Sequence, residues 1–197
     1  MSSVSLVRVG GLAAILAGVL LVLGALLNWL VVEAATSATY VVQSVVFLLA
    51  DALLLVGLVG LYTRLAEASG GLLGLVGFLL ALVGTAIVMG SLWDQAFRVP
   101  TLAQVTPTLL EHPPPLATFG FIFSFVLFGL GWLLFGFEAY RAQVYPRGAV
   151  ILLIGGVLLD IPPLPFASPV FAVAVAWLGF ALLTGRGTSA EPTSRVR

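Results

Sequence analysis

Long apolar runs separated by short polar segments make up most of this chain. A transmembrane α-helix needs about 20 consecutive apolar residues to cross roughly 30 Å of hydrocarbon. Six runs approach this length, and each predicts a transmembrane helix, at about residues 9–32, 40–61, 71–92, 116–137, 149–163 and 168–184. The fifth run is short and ends in Pro162 and Pro163, so five spans with a re-entrant hairpin are the alternative.

A transmembrane β-barrel is the rival membrane architecture, but its strands alternate apolar and polar residues over about ten positions. No part of this sequence alternates in that way. The prediction is therefore an all-α, polytopic helix bundle that forms one domain over residues 1–185, with an outer loop at residues 93–115. The polar segment at residues 186–197 is expected to be a disordered cytoplasmic tail.

Composition and charge agree with a membrane location and orient the bundle. The chain is 61% hydrophobic and 8% charged, whereas soluble domains are about 25% charged. With six spans, all arginines except Arg98 fall on one side of the membrane. They are Arg8, Arg64, Arg141, Arg147, Arg186, Arg195 and Arg197. Because basic residues concentrate on the cytoplasmic side, both termini are predicted to face the cytoplasm of a bacterial inner membrane.

The residue types that are missing exclude several kinds of chemistry. The sequence has no cysteine and no lysine, which excludes thiolate metal sites and a retinal Schiff base. A single histidine excludes bis-histidine haem within one chain. Hydrolase, metalloprotease and nucleotide-binding motifs are absent, and the scattered arginines form no nucleic-acid footprint. We therefore expect no enzymatic activity, no cofactor, no metal and no nucleic-acid partner.

The run FLLADALLL places Asp51 in the middle of the second predicted helix. Asp51 lies roughly 16 Å from Tyr40 along a helix of 1.5 Å rise, near the membrane midplane. At 100° per residue, Tyr40, Ser44, Asp51 and Tyr62 fall within about 40° of one another. A carboxylate at this depth costs about 2.5 to 3.5 kcal/mol, so we expect Asp51 to be protonated at neutral pH unless water reaches it.

Two interpretations of Asp51 follow from the sequence with equal weight. In the first, the protonated acid is a helix clamp that bonds a backbone carbonyl or one of the hydroxyls at similar depth, which belong to Thr85 and Ser124. In the second, Asp51 is a proton or cation site at the end of a pathway that opens outward. Polar side chains above Asp51 would line that pathway, namely Ser44, Gln43 and Asn28.

The outer loop carries the other polar residues that could form a site. Asp94 and Arg98 stand four residues apart and can pair if the third helix continues past the membrane surface. Thr106 and Pro107 predict the start of a short interfacial helix that ends near His112. A polar cluster at the outer surface could include Glu33, Asp94, Arg98, Glu111, His112 and Asp160. Their spacing matches no known metal-ligand motif, so no metal site is predicted.

Small residues recur every four positions on two of the predicted helices. They are Gly10, Ala14 and Gly18 on the first helix, and Gly77, Ala81 and Thr85 on the third. This spacing lets helix backbones approach closely in lipid. We interpret these faces as contacts within the bundle rather than as a dimer interface.

Three stretches, GLYTRL, GFLLALVGTAIVMGSLWDQAFRVP and GWLLFGFEAYRAQVYPRGAVILLIGG, resemble the small six-helix integral membrane proteins of GC-rich bacteria. The resemblance covers most of the chain and implies the fold, but that group has no assigned activity to transfer. The prediction is a non-enzymatic accessory or scaffold subunit, or a protein that binds a lipid or another apolar ligand. Membrane lipids and other membrane-protein subunits are the expected partners. The alternative is a small proton- or cation-linked transporter or channel with its site at Asp51.

Overall fold

The computed structural model describes residues 3–30, 35–69, 71–160 and 168–185, and every regular element in them is a helix. The helices are α1 (Ser3–Leu30), α2 (Ala38–Ala68), α3 (Leu72–Phe97), α4 (Val99–Val105), α5 (Thr108–Glu111), α6 (Pro115–Ala142), α7 (Arg147–Leu159) and α8 (Ser168–Thr184). Four of them, α1, α2, α3 and α6, are long and apolar enough to cross a membrane. The predicted all-α class is confirmed for the described residues.

Helices form where the apolar runs predicted them, and the four long ones differ mainly by extending into the polar flanks. The exception is α7, which ends at Leu159 rather than at the predicted residue 163. The backbone N–H of Asp160 closes the helix by donating to the carbonyls of Gly156 and Val157. Because a residue that precedes proline disfavours helical backbone angles, Ile161 before Pro162 explains an early end.

The six larger helices form a closed ring in the order α1, α2, α3, α6, α7, α8, and α8 returns to pack on α1. Neighbours in the ring run antiparallel. For example, Gly10 near the start of α1 faces Gly60 near the end of α2, whereas Asn28 at the end of α1 bonds Gln43. The ring therefore alternates in direction from each helix to the next.

Large apolar side chains fill the interior of the ring. Trp132 of α6 is fully buried and packs edge-on against Phe135 and against Phe171 of α8, with ring centroids 5.9 and 5.2 Å away. Four leucines of α2 are also buried: Leu54, Leu58, Leu61 and Leu65. The outer faces are apolar as well, since leucine and valine side chains stand exposed along α1, α2 and α3. A surface as apolar as the core is suited to a lipid solvent.

Small residues set the closest helix contacts, as the sequence predicted. On α3, an added Cβ at Gly77 would stand 2.5 Å from the backbone nitrogen of Phe135 on α6. On α1, Gly18 meets the backbone of Ala172 on α8, and Gly57 of α2 packs on Ala14. These contacts lie within one chain, so the interpretation as bundle packing is confirmed for α1 and α3.

The α7–α8 pair is shorter than the rest of the ring. With 13 residues, α7 rises about 20 Å, whereas the 28 residues of α6 rise about 42 Å. Gly136 meets Ile154, and Gly129 meets Val157 farther along both helices. These two contacts show that α7 and α6 run in opposite directions. Following both helices from Val157 to the end of α7 therefore places that end beside the middle of α6.

Candidate functional site

Asp51 lies in the middle of α2 and is buried, with 5% of its surface exposed. The Oδ2 atom of its carboxyl group has no hydrogen-bond partner. Asp51 is separated by eleven residues, or about 20° around the helix, from Tyr62. The ring of Tyr62 stacks on Phe78 of α3 at 4.2 Å, so the polar stripe predicted on α2 faces α3.

Packing contacts set the height of Asp51 in the bundle. The Tyr62–Phe78 stack fixes the offset between α2 and α3, and counting eleven residues along each helix places Asp51 opposite Met89, next to Val88. The contact of Gly84 with Phe128 likewise places Val88 opposite Ser124 on α6. Asp51 and Ser124 therefore lie at nearly the same height, as the sequence predicted.

Neither predicted hydroxyl bonds Asp51. The Ser124 hydroxyl donates to the carbonyl of Phe121 at 2.6 Å, within its own helix. The Thr85 hydroxyl oxygen accepts a hydrogen bond from the Trp132 indole at 3.2 Å. The predicted clamp from Asp51 to Thr85 or Ser124 is therefore not formed.

The polar residues above Asp51 bond mainly to one another. Gln43 donates to Asn28 at 3.0 Å and so joins the outer ends of α2 and α1, while its own Oε1 is buried without a partner. Ser44 donates to the carbonyl of Tyr40 at 2.9 Å. Neither of the two cavities described below is lined by any of these residues or by Asp51.

The predicted outer cluster does not assemble as one site. Asp94 and Arg98 form the expected ion pair across the end of α3. Glu111 and His112 lie exposed at the end of α5, and Glu33 falls outside the described residues. In the part of the chain that the structure describes, no three His, Asp or Glu side chains are placed to hold a metal ion.

The outer loop contains more helix than the sequence predicted. The expected interfacial helix is α5, although Pro107 rather than Thr106 precedes its first residue. The helix α4 was not predicted. Pro100 occupies its first turn, where proline is well tolerated because the N–H groups there have no helical partner.

Asp160 caps the C-terminus of α7 and lies beside the middle of α6. The sequence allowed it to join Asp94 and Glu111 at the outer surface, but no group of three acidic or histidine side chains is placed to hold a metal ion among the described residues. Because α7 is short and begins at the opposite end of the bundle, its last residue rises only about half as far as α6 extends. Asp51 and Asp160 are thus two carboxyl groups at similar heights, about midway through the bundle.

A cavity of about 280 Å³ lies between α6 and the end of α7. Apart from Asp160, its lining consists of apolar residues: Phe121, Ile122, Phe125, Val126, Phe128, Gly129, Leu130, Leu133 and Val157. The rings of Phe121 and Phe125 approach to 4.8 Å. Gly129 leaves room in the wall, since an added Cβ there would stand 3.6 Å from the Val157 side chain. Among the described residues, no arginine or histidine lines this cavity.

A second, larger cavity of about 460 Å³ lies between α1 and α8. Its lining carries no polar side chain except the indole of Trp177: Gly18, Val19, Val22, Ala172, Val173, Ala176 and Trp177. No charged side chain is among the described residues that line this groove.

The sequence did not predict two other buried polar residues, which lie at the end of the bundle that carries the α6–α7 link. Glu138 is buried beside Gly71 at the start of α3, and it shares a helix face with Gly131 and Phe135, a spacing that could have revealed its burial. In the α6–α7 link, the Tyr145 hydroxyl donates to the carbonyl of Leu61 at 2.6 Å. Burial raises the pKa of Tyr145 far above its usual range, which keeps the phenol a neutral donor.

No protein-family model, curated protein or solved structure matches this chain.

Replacing Asp51 with leucine should stabilise the protein, because the change removes a buried oxygen that has no partner. The expected gain is about 1 to 3 kcal/mol in the free energy of unfolding. The measurement is unfolding in mixed micelles by titration with sodium dodecyl sulfate. Asp51→Asn keeps a polar group at this position and should change stability by less than about 1 kcal/mol. A clear loss of stability in both variants would show that Asp51 has a bonding partner after all.

Proposed function

We propose that this chain is a non-enzymatic integral membrane protein that binds a lipid or another apolar ligand in the cavity between α6 and α7. The observation that carries the proposal is the cavity itself, with apolar walls and one carboxyl group, Asp160. Ligand sites usually are concave, mostly apolar and supplied with a few polar groups, and their volumes begin at about 300 Å³. The α6–α7 cavity has this character, and its volume of about 280 Å³ lies just below that range.

Access from the lipid supports this proposal. Ile122 and Val126 line the cavity and are also 56% and 60% exposed on the outside of the ring. The wall of the cavity is therefore continuous with the lipid-facing surface of α6. A ligand could enter sideways from the bilayer without passing through water.

We also propose six membrane-embedded helices, with both termini in the cytoplasm of a bacterial inner membrane. The alternating directions of α1, α2, α3, α6, α7 and α8 and the one-sided arginines support this topology. Alkaline phosphatase fused after residue 197 should remain inactive, because the enzyme folds only outside the cytoplasm. An active fusion would contradict the proposed topology.

The binding proposal can be tested with a phosphatidylethanolamine that carries a photoreactive diazirine in the middle of one acyl chain. We expect crosslinks to concentrate on α6 between residues 121 and 133 rather than on the exposed leucines of α1. Gly129→Leu should reduce the α6 crosslinks severalfold, because the new side chain fills the cavity without a backbone clash.

Gly155→Leu is the matched control for that variant. Gly155 lies on α7 with open space around it and does not line the cavity. This control should leave the crosslinking pattern unchanged. Uniform labelling of all lipid-facing helices in the unmodified protein would contradict the proposed binding function.

A second proposal, a proton- or cation-linked transporter, is favoured by one observation, the unpartnered carboxyl oxygen of Asp51. Ionisable residues inside a membrane usually serve ion or substrate pathways. Proton flux into liposomes that contain the protein, abolished by Asp51→Asn, would support this function. Absence of flux in the unmodified protein would contradict it. The accessory or scaffold role stays a prediction, since it concerns partner subunits.

A further inference from the structure

The groove between α1 and α8 opens sideways toward the lipid. Its volume of about 460 Å³ falls within the range of ligand pockets, about 300 to 1,000 Å³. Small residues bring the two backbones together at its floor, where an added Cβ at Gly18 would stand 2.5 Å from the carbonyl oxygen of Ala172. Val19 and Val173 also line the groove and are exposed on the outside of the ring. An apolar chain can therefore enter this groove directly from the bilayer.

An arginine lies on the same face of α1 as the groove. Arg8 precedes Val19 by eleven residues, which is about 20° around the helix and about 16 Å along it. Between them, the backbone nitrogen of Ile15 lies 2.9 Å from the position of a Cβ added at Gly179, so α1 stays close to α8 in this interval. One leaflet is half of the roughly 30 Å hydrocarbon core, or about 15 Å deep. A lipid whose head group lies at Arg8 therefore has acyl chains of the right length to reach the groove.

A second arginine lies on the other side of α8. Trp177 lines the groove, and its indole ring would stand 3.1 Å from a Cβ added at Gly148 on α7. Arg147 is the residue before Gly148 and begins α7. The indole of Trp177 thus connects the groove with the start of α7, where Arg147 is exposed.

Acidic side chains of the protein do not neutralise these two arginines. Neither Arg8 nor Arg147 forms an ion pair with another residue that the structure describes, and both are exposed. The described acidic residues at this end are Glu67, which pairs with Arg64, and Glu138, which is buried against α3. A guanidinium group binds phosphate well, because its planar fork can donate two parallel hydrogen bonds.

We propose that the groove between α1 and α8 binds an anionic phospholipid, at a site separate from the α6–α7 cavity. The head-group phosphate binds Arg8, Arg147 adds positive charge from the other side of α8, and one acyl chain lies in the groove against Trp177. Basic sites between transmembrane helices suit anionic head groups. A zwitterionic phospholipid matches this site less well, because its own ammonium group offsets the attraction of its phosphate to the arginines.

Tryptophan fluorescence tests the proposal inside the groove. Replacing the exposed Trp29 and Trp93 with phenylalanine leaves Trp177 as the lipid-facing tryptophan, with Trp132 buried at the centre of the ring. This full-length variant is reconstituted in mixed bilayers of phosphatidylcholine and phosphatidylglycerol, in which one of the two lipids carries quenching bromine atoms in the middle of its acyl chains. We expect the association constant of phosphatidylglycerol, measured by quenching of Trp177, to be about fivefold that of phosphatidylcholine.

Two pairs of further variants separate the head group from the acyl chain. Arg8→Gln should reduce the preference for phosphatidylglycerol to less than about twofold. Arg141→Gln is its matched control, because Arg141 is an exposed arginine at the same end of the bundle on α6, across the ring from α1, and it should leave the preference unchanged. Val19→Phe fills the groove and should also reduce the preference, whereas Val83→Phe, at an exposed valine of α3, should not.

Three outcomes would overturn the proposal. The first is equal quenching by the two lipids, and the second is a preference that survives Arg8→Gln. The third is an equal loss of preference in Arg8→Gln and Arg141→Gln, which would show a general attraction to the basic end of the bundle rather than a site at this groove. None of these outcomes bears on the α6–α7 cavity, whose photolabelling is measured on a different helix.

Discussion

Gly131→Leu should lose at least about 3 kcal/mol of unfolding free energy, at the upper end of the cost of overpacking. A side chain at Gly131 of α6 would overlap the backbone of Ala81 on α3, and backbone cannot move aside as a flexible side chain can. Gly77 and Gly84 form the neighbouring contacts along the same seam. Both helices would have to separate along their length, so the loss is larger than for an ordinary core substitution.

Gly120→Leu is the control on the same helix. Gly120 is exposed and has no atom within 4 Å of an added Cβ. Its replacement should change stability by less than about 1 kcal/mol, because no contact is disturbed and glycine in a helix interior is itself slightly unfavourable. Unfolding of both variants in mixed micelles gives the comparison. Equal losses would contradict the backbone contact between α3 and α6.

Trp132→Ala should cost about 3 to 5 kcal/mol, the range for removing a large buried aromatic side chain. Trp132 is fully buried at the centre of the ring and contacts aromatic residues of both α6 and α8. Its indole also donates a hydrogen bond to the Thr85 hydroxyl of α3, so this one side chain makes contacts within α6 and with α3 and α8. Trp93→Ala, at an exposed position on α3, should cost less than about 1 kcal/mol.

The hydrogen bond can be separated from the packing by a double-mutant cycle of Trp132→Phe and Thr85→Val. We expect a coupling energy of about 0.6 to 1 kcal/mol, the size of hydrogen bonds between membrane helices. A coupling energy near zero would show that Trp132 stabilises the ring through packing alone.

The short α7–α8 pair links the fold to the proposed function. Because α7 stops beside the middle of α6, the described part of α7 leaves the N-terminal half of α6 without an antiparallel neighbour on that side. Leu116 and Phe119 there are 81% and 65% exposed. The cavity forms where this neighbour ends, so the length of α7 determines both the position of the cavity and the depth of Asp160.

Local patterns predicted the helices well because each helix satisfies its own backbone hydrogen bonds. The Asp94–Arg98 pair depended only on spacing along one helix, and it was also predicted. The partners of Asp51 were harder to predict. The sequence placed Ser124 at the right height, but its hydroxyl bonds to a carbonyl of its own helix. No periodicity in the sequence shows whether a serine hydroxyl bonds within its own helix or to a neighbouring one.

The sequence by itself determined that this protein is an all-α bundle with apolar helices long enough to span a membrane, because lipid offers no water to an unpaired backbone. It also determined which faces of α1 and α3 pack closely. Only the tertiary structure decided that Asp160 lines a cavity beside the middle of α6, while Asp51 is buried and lines neither described cavity. Those depths follow from the offset between neighbouring helices. The offset is set by contacts such as Gly129 with Val157, between residues too far apart in the chain for any local pattern to relate them.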